Sequence, residues 1–352
     1  MGIKGEKLTV AIAGCHRMLN RKLGSHNFAT AFCQVEETEV VAVFDLGADT
    51  RAEFVSCWYD VWGDIPTYGD YPKMLEEIKP DIICIATRQT MHAEQSVLAV
   101  GLGVRGIMCD KPLVTSLTEM DDLISSCQNT PLLLALDRRW FERYIALSNQ
   151  ISAGIIGEVK SIIAYGLPNL INHGCHWYDT LLALAGDIEP AWVSGFVDDF
   201  STEPEGSRRR MDPSGRAQIG LSNGTVLYIT PDGAHSGDGL PISFEVVGDT
   251  GRLFVLNDAH QSFVWKSDSS DQVQLVELPQ DTTAWPAGPA MVRDLVQAIQ
   301  TGSRTKCDSD QARRATEIGF AIHESSKRLG ARVDLPVDDR LLCIESFSWG
   351  NE

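Results

Sequence analysis

Basic residues are scarce in this chain relative to acidic ones. It has 30 Lys and Arg against 48 Asp and Glu, which gives a formal net charge of −18. Such an excess of negative charge repels nucleic acid phosphates and anionic lipid headgroups. We therefore expect no nucleic acid and no membrane among its partners, although a local basic cleft can still bind an anionic cofactor.

Long apolar runs and metal-ligand spacings are absent as well. No stretch approaches the roughly 20 apolar residues that a membrane-spanning helix needs. The first apolar run, Leu8 to Ala13, is short and ends at Gly14, which predicts a strand rather than a secretory signal. The nine cysteines show no Cys-x-x-Cys spacing, and Cys84 and Cys109 lie within apolar runs. These features predict buried free thiols, a cytoplasmic protein and no metal site.

The chain has 352 residues, of which 43% are hydrophobic, and this size suits two globular domains. Residues 1–136 alternate short β-rich runs with helical patterns, which predicts a parallel sheet covered on both faces, a dinucleotide-binding Rossmann domain. The predicted strands are Leu8–Ala13, Val40–Phe44, Ile82–Ala86, Arg105–Cys109 and Leu132–Leu136, and the predicted helices are Asn27–Val35, Tyr71–Ile78, His92–Val100 and Leu117–Cys127.

Residues 137–352 have a different pattern, in which consecutive strands are joined by short turns. We predict an α+β domain with a large, mostly antiparallel open sheet that binds substrate and forms oligomers. The predicted strands are Glu158–Tyr165, Trp192–Val197, Arg216–Leu221, Thr225–Ile229, Ile242–Val247, Arg252–Val255 and Ser262–Trp265, and the predicted helices lie near His176–Ala185, Ala290–Thr301 and Asp310–Leu329.

The loop after the first strand has part of a dinucleotide-binding glycine pattern. Ligands of parallel sheets bind beyond the carboxyl ends of the strands, where glycine lets backbone amides approach a pyrophosphate. Gly14 fits the first glycine, His16 stands at the second position, and Gly24 is the candidate third. The loop also contains cations, including Arg17. An ordinary loop with solvated cations explains these residues equally well.

Asp45 ends the second predicted strand, in VVAVFD. A carboxylate at this position can accept hydrogen bonds from the ribose hydroxyls of the adenosine, and its charge opposes a 2′-phosphate. This favours NAD over NADP, although Arg51 or the basic loop can offset the preference. The alternative is a turn or helix-capping aspartate.

Two further clusters contain candidate proton-transfer groups. Lys111 follows the fourth strand, in Asp110-Lys111-Pro112, where a lysine beside a cationic nicotinamide can exchange protons at neutral pH. His176 lies three residues before Asp179, on one face of a predicted helix, and can share proton transfer with Lys111. A surface lysine and a structural histidine are the alternatives.

Several motifs in this order resemble the Gfo/Idh/MocA oxidoreductase family. The stretch MCDKPLVTSLTEMDDLI resembles the family's Glu-Lys-Pro motif, with Asp110 in place of glutamate. IATRQTMHAEQSVLAVG resembles its strand-three signature, with Arg88 where proline is usual. NHGCHWYD resembles its Asp-x-Gly-x-His-x-x-Asp motif, with Asn172 where many members have aspartate. The junction LDRRWFERYIALSNQISAGIIGEVKSI and the stretch MVRDLVQAIQTGSRTKCDSDQARRATEIGFAIHESSKRLG resemble the family too.

The resemblance implies hydride transfer between NAD, or NADP, and a secondary hydroxyl or ketone of a sugar, cyclitol or related polyol. It implies Lys111 and His176 as catalytic residues. The expected cofactor-binding residues are Gly14, His16, Arg17, Asp45, Thr87, His92, Asp110 and Lys111. The expected substrate-binding residues are Arg88, Trp140, Tyr144, Asn172, His173 and Asp179, with His235 as a further candidate. A packing or surface role explains Arg88, Trp140, Tyr144, His173 and His235 at least as well.

Two other functions stay open. A glycosidase of the same fold oxidises a sugar transiently and releases an aglycone without net consumption of NAD. A cofactor-sensing regulator binds the dinucleotide without turnover, and the altered glycine loop favours it while Lys111 and His176 oppose it. Because open sheets often pair in this family, we also expect a homodimer or homotetramer.

Overall fold

The computed structural model describes residues 7–22, 26–167, 169–198, 212–230, 242–268 and 272–343. The chain forms two compact units. The first contains Met1–Trp140 and Thr282–Ala312, and the second contains Phe141–Asp281 and Arg313–Glu352.

Within the described ranges, strands and helices alternate in the first part of the chain and strands dominate the middle. The strands are β1 (Leu8–Ala13), β2 (Thr38–Phe44), β3 (Thr67–Tyr68), β4 (Ile82–Ile85), β5 (Gly106–Cys109), β6 (Leu132–Leu134), β7 (Val159–Tyr165), β8 (Pro190–Val197), β9 (Gly215–Leu221), β10 (Val226–Thr230), β11 (Ser243–Gly248), β12 (Gly251–Leu256), β13 (Gln261–Lys266), β14 (Gln274–Leu275) and β15 (Val333–Asp334). The α-helices are α1 (Phe28–Cys33), α2 (Ala48–Trp62), α3 (Tyr71–Ile78), α4 (Gln89–Gly101), α5 (Leu117–Ser126), α6 (Glu142–Ser152), α7 (Gly174–Leu184), α8 (Ala287–Thr301) and α9 (Ser309–Lys327).

The first unit is built on a six-stranded sheet in the order β3-β2-β1-β4-β5-β6. All of its strand pairs are parallel. Strands β4, β5 and β6 are buried along their whole length, as their continuous apolar sequences predict. This strand order is that of a Rossmann fold, and the chain reverses direction across the sheet between β1 and β4. The predicted fold of this part is confirmed.

Polar side chains define where several helices of this unit begin. The Asn27 side chain accepts a hydrogen bond from the Thr30 amide at the start of α1, and Asp70 caps α3 in the same way. Ser116 and Glu119 form a reciprocal capping box at α5. Such caps satisfy amides that have no partner within the helix, which fixes the ends of the loops that precede each helix.

The second unit contains a nine-stranded sheet in the order β14-β13-β12-β11-β7-β10-β9-β8-β15. Every pair is antiparallel except β7 with β10. Residues alternate between a buried face and a partly exposed one, as in Ile162 to Tyr165 of β7. The expected α+β fold with a mostly antiparallel sheet is confirmed.

Several elements differ from the sequence-based expectation. Helices α2 and α6 and the short strands β3, β14 and β15 were not predicted. Residues 282–312 were expected in the second domain but pack within the first unit. There, Ile299 and Leu295 of α8 contact Gly106 of β5, and the Leu134 amide donates to the Cys307 carbonyl oxygen at 3.0 Å. None of the described helices combines the length and apolar composition that crossing a membrane requires.

Candidate active site

Gly14 lies at the carboxyl end of β1, where the first sheet reverses its strand order. Its φ of +92° favours glycine, and a Cβ there would lie 2.3 Å from the Ala86 carbonyl oxygen. The Gly14 amide donates to the Phe44 carbonyl oxygen at 2.8 Å. The chain therefore passes closely over the ends of β1, β2 and β4, which is how a dinucleotide-binding loop approaches its ligand.

The loop that follows is only partly available for an anion. His16 and Arg17 are exposed in a short 3-10 helix, His16–Leu19. Arg21 instead packs on α2, where it forms an ion pair with Asp60 and lies 4.4 Å from the Trp58 ring centroid. His16 and Arg17 remain predicted cofactor ligands, whereas the Arg21 guanidinium serves to attach the loop to α2. Gly24 lies outside the described residues.

Asp45 follows β2, and its carboxylate organises two neighbouring turns. One oxygen accepts the Cys15 amide at 2.9 Å and the other accepts the Gly47 amide at 2.9 Å. Arg51 donates to the Asp45 carbonyl oxygen at 2.5 Å. Each carboxylate oxygen can accept a further hydrogen bond, so the half-buried Asp45 can still bind a ribose hydroxyl.

The loop after β4 contains three of the predicted residues. The Thr87 hydroxyl donates to Gln95 at 2.7 Å, and Arg88 is exposed at the start of α4. His92 is buried, and burial lowers its pKa, so its ring is neutral at pH 7. Its Nδ1 lies 2.8 Å from the Pro112 carbonyl oxygen and its Nε2 lies 3.2 Å from that of Thr87. His92 thus joins the loops after β4 and β5, and its predicted contact with the cofactor stays a prediction.

Lys111 follows β5 at the same edge of the sheet. Its side chain is half-buried, and its amide donates to Asp110 Oδ1 at 2.9 Å. Burial by itself raises the pKa of the Asp110 carboxyl, but the charge and hydrogen bond of His26 and the charge of Lys111 hold it well below its usual value. Asp110 is therefore an ionised, buried carboxylate that fixes the backbone of Lys111.

Sequence reasoning did not single out His26, Asp137 or Trp285. The His26 Nδ1 lies 2.9 Å from Asp110 Oδ1, and its ring stacks on Trp285 at a centroid distance of 5.6 Å. Trp285 donates to Asp137 Oδ2 at 3.2 Å. The one available signal was the position of His26, directly before α1 on the same loop as Gly14.

In the second unit, the turn before α7 contains Asn172 and His173. The amides of Ile171 and Asn172 both donate to Asp212 Oδ2, at 2.9 and 2.7 Å. His173 is exposed and contacts Asn169 through both its amide and its ring. Asp212, a second residue that sequence reasoning missed, holds this turn.

His176 and Asp179 lie in the first two turns of α7, and both are buried. The Thr180 hydroxyl donates to the His176 carbonyl oxygen at 2.6 Å. Gly174 leaves no room for a side chain, because a Cβ would lie 2.8 Å from the Tyr178 hydroxyl. The local packing therefore explains the glycine of NHGCHWYD, and the catalytic role of His176 stays a prediction.

Two predicted substrate ligands have structural contacts within their own units. The Trp140 indole is buried and donates to Asp294 Oδ2 at 3.1 Å. The Tyr144 hydroxyl donates to Asp258 Oδ1 at 2.7 Å, and its ring is buried. These contacts account for both side chains, and their contact with substrate has no support beyond the sequence. His235 lies outside the described residues.

The edge of the first sheet fits a dinucleotide. It combines a close glycine turn at Gly14, an acidic residue at the end of β2, and a lysine after β5. Together with the strand order, these features are those of a dinucleotide-binding Rossmann fold.

Comparison with known proteins gives the same class. Residues 8–137 match the family model described as "Oxidoreductase family, NAD-binding Rossmann fold". The chain is 30% identical over 128 residues to D-xylose 1-dehydrogenase (NADP(+)) of Hypocrea jecorina, covering 36% of this chain and 32% of that protein. It is 24% identical over 162 residues to D-glucoside 3-dehydrogenase of Escherichia coli, covering 46% and 43%. The matches thus span less than half of these two relatives.

A levoglucosan dehydrogenase solved with NADH and levoglucosan has the same fold. The TM-score is 0.78 with 19% identity, over 94% of this chain and 100% of that one. Over residues 8–137 the chain is similar to the NAD-binding Rossmann fold of the Gfo/Idh/MocA oxidoreductase family, the family that the sequence motifs resemble.

Proposed function

We propose that the protein is an NAD(P)-dependent oxidoreductase that acts on a secondary hydroxyl or ketone of a sugar, cyclitol or related polyol. NAD is the proposed cofactor because Asp45 ends β2. Two of the relatives are named as dehydrogenases of a sugar and of a glucoside, which supports this class of substrate. Nine free cysteines, most of them buried, support a cytoplasmic location.

The placement of Lys111 is the observation on which the proposal rests. Lys111 lies at the carboxyl edge of a parallel sheet, and in the described part of that sheet one strand, β4, separates its own strand from β1 with Gly14. Ligands of Rossmann folds bind across this edge. A lysine with a backbone fixed by a buried carboxylate is suited to proton exchange with a bound substrate.

The bound nicotinamide would supply the redox chemistry by accepting or donating hydride. Lys111 would take the proton of the substrate hydroxyl during oxidation and return it during reduction. His176 would serve as the second proton-handling group. Asn172 would orient a substrate hydroxyl, because its amide can donate and accept hydrogen bonds but does not take a proton.

The test begins with the purified protein. Cofactor released on denaturation is identified by absorbance and mass, and a panel of polyols and sugars is then screened for NAD reduction. We expect bound or added NAD to be reduced by a member of the panel. Release of an aglycone without net NAD reduction would instead indicate the glycosidase reaction, and binding without turnover would indicate the regulator.

Lys111→Ala is the decisive variant. We expect cofactor affinity to stay close to that of the wild type and turnover to fall by about 10²–10⁴-fold, the usual contribution of general acid–base catalysis. Lys73→Ala, at an exposed lysine of α3, is the control and should retain wild-type turnover. Near-normal turnover of Lys111→Ala would remove Lys111 from the mechanism.

We further propose that the protein is a homodimer or homotetramer that pairs through the partly exposed face of the second sheet. A row of directly opposed residues crosses five strands on this face: Tyr228, Ile163, Glu245, Phe254 and Phe263. Glu245 is buried and paired with Arg252 at 3.1 Å, and the other four are partly exposed. An apolar, aromatic sheet face of this kind is typical of a protein interface.

A further inference from the structure

His26 connects the two loops on which the proposed reaction depends. It ends the loop that begins at Gly14, and it contacts Asp110, 84 residues further along the chain. The His26 ring is buried and stacks on Trp285 at an interplanar angle of 24°. A buried histidine in this position is held firmly enough to fix the residue that it contacts.

Asp110 Oδ1 is the atom that transmits this contact to Lys111. It lies 2.9 Å from His26 Nδ1, and it accepts the Lys111 amide at 2.9 Å. Because the carboxylate is ionised, Nδ1 of His26 donates the hydrogen bond. The direction of the Asp110 side chain, and with it the Lys111 amide, therefore depends on the His26 donor.

A second carboxylate lies on the other side of His26. The Asp137 Oδ2 lies 4.0 Å from His26 Nε2 and accepts the indole N–H of Trp285 at 3.2 Å. The ring is thus held by its stacking on Trp285 and by the contact of Nδ1 with Asp110. This arrangement restricts the Nδ1–H to the direction of Asp110.

We propose that His26 is a positioning residue that aligns Lys111 for proton transfer through Asp110 Oδ1. The inference rests on the proposed function for its catalytic consequence. The contact itself is independent of which substrate the protein uses.

A matched pair of variants isolates the hydrogen bond. His26 has a φ of +54°, a conformation that glycine and asparagine adopt more readily than most residues do. His26→Asn places an amide N–H where Nδ1 lies, whereas His26→Gly provides no donor. Both variants lose the ring and its stacking on Trp285, so the difference between them reports the donor.

Two measurements are made on each folded variant. Hydrogen exchange, followed by mass spectrometry, gives the exchange rate of the Lys111 amide. Steady-state kinetics with NAD and the substrate found in the screen give kcat per cofactor-loaded protein and KM separately. Loss of the donor should lower kcat by roughly ten- to a hundredfold with a smaller change in KM, because a buried hydrogen bond to a charged group has that weight.

We expect His26→Gly to accelerate exchange of the Lys111 amide and to lower kcat. His26→Asn should keep the exchange rate and kcat close to those of the wild type. Wild-type exchange in His26→Gly, or an equal defect in both variants, overturns the inference. If His26→Gly does not fold, His26→Asp replaces it, because Asp matches Asn in shape but its charge repels that of Asp110. Wild-type amide exchange and kcat in His26→Asp would also overturn the inference. If the wild type reduces no NAD, the proposed function fails, while amide exchange still decides the role of His26.

Discussion

Asp45 is held by backbone amides on both carboxylate oxygens, with Arg51 beside its carbonyl. A negative charge in this setting opposes a 2′-phosphate, while the adjacent guanidinium attracts one. We predict that the wild type binds NAD at least about tenfold more tightly than NADP, an order of magnitude for one unfavourable charge contact. Asp45→Asn should narrow this ratio, because it removes the charge but keeps an acceptor. Fluorescence titration of wild type and Asp45→Asn with each cofactor measures the ratio of the two dissociation constants.

Arg51→Ala is the matched control for cofactor choice. If Arg51 supplies the residual affinity for NADP, this variant should bind NADP less tightly and NAD almost unchanged. Tighter binding of NADP by the wild type would show that the nearby cations, rather than Asp45, determine the choice of cofactor. The Hypocrea jecorina relative is named as an NADP(+) enzyme.

Asn172 offers a test of the proposed substrate site. We predict that Asn172→Asp adds an acidic limb to the pH profile of kcat/KM or strengthens the binding of a neutral polyol, because it introduces an ionisable group of almost the same shape. The new carboxylate would lie near that of Asp212, which accepts the backbone amide of residue 172 at 2.7 Å. Kinetics from pH 4 to 9 on both proteins measure the change.

Asn223→Asp makes the same amide-to-carboxylate change in the exposed turn between β9 and β10, where the carboxylate can still accept the Thr225 amide, and is the control. It should leave the profile unaltered if only residue 172 contacts substrate. If Asn172→Asp matches the wild type in both affinity and profile, Asn172 faces away from substrate. His173 would then be the second candidate for proton handling.

At the level of single residues, the sequence correctly placed the candidates that follow a strand, whereas their roles stay predictions. Gly14, Asp45 and Lys111 each follow a strand, and parallel strands bring their carboxyl ends to one edge. His26 and Asp212 were missed because each acts through a partner at least 40 residues distant in sequence. Local patterns contain no information about such a pairing.

Helix α9 contains a histidine whose burial makes stability depend on pH. Burial, with a smaller contribution from the charge of Lys327, lowers the pKa of His323 to about 4. The unfolded chain takes up this proton near pH 6.5, whereas the folded chain resists it until about pH 4. Stability should therefore fall as the pH is lowered through this window, by up to about 3 kcal/mol from this residue.

Urea unfolding of wild type and His323→Gln at pH 7, 6, 5 and 4 measures the effect. We expect the free energy of unfolding of the variant, relative to the wild type, to rise steadily as the pH falls. His260→Gln, at an exposed histidine, should follow the wild type. A difference between His323→Gln and wild type that does not change with pH would contradict the prediction.

Two elements show why sequence patterns predicted helices unevenly. Of the 15 residues of α2, only Phe54 and Trp58 are buried. Two buried positions give too weak a helical pattern for the sequence to predict the helix that follows Asp45. The pattern of α8 was clear and its helix was predicted. Its place in the first unit was not, because Trp285, Leu295 and Ile299 pack on partners far away in sequence.

At the scale of the molecule, the proposed pairing through the second sheet can be tested directly. We predict that the wild type is a dimer or tetramer by light scattering, and that Phe254→Lys shifts it towards smaller species. A charge inserted in the middle of an apolar interface is costly to desolvate. Leu102→Lys, at an exposed leucine of the first unit, should leave the mass unchanged. A wild-type monomer, or a Phe254→Lys oligomer of unaltered mass, would contradict the proposal.

The return of residues 282–312 to the first unit has a consequence for synthesis. Strand β6 receives hydrogen bonds from this segment, since the Thr305 hydroxyl donates to the Leu132 carbonyl oxygen at 2.6 Å, and α8 covers Gly106 of β5. A ribosome that has released only the first 140 residues has therefore made a sheet with part of its apolar surface still bare. That surface stays exposed while the whole intervening unit is translated, for roughly 10 to 30 seconds at ordinary elongation rates. We therefore expect chaperones to bind the nascent chain during that interval.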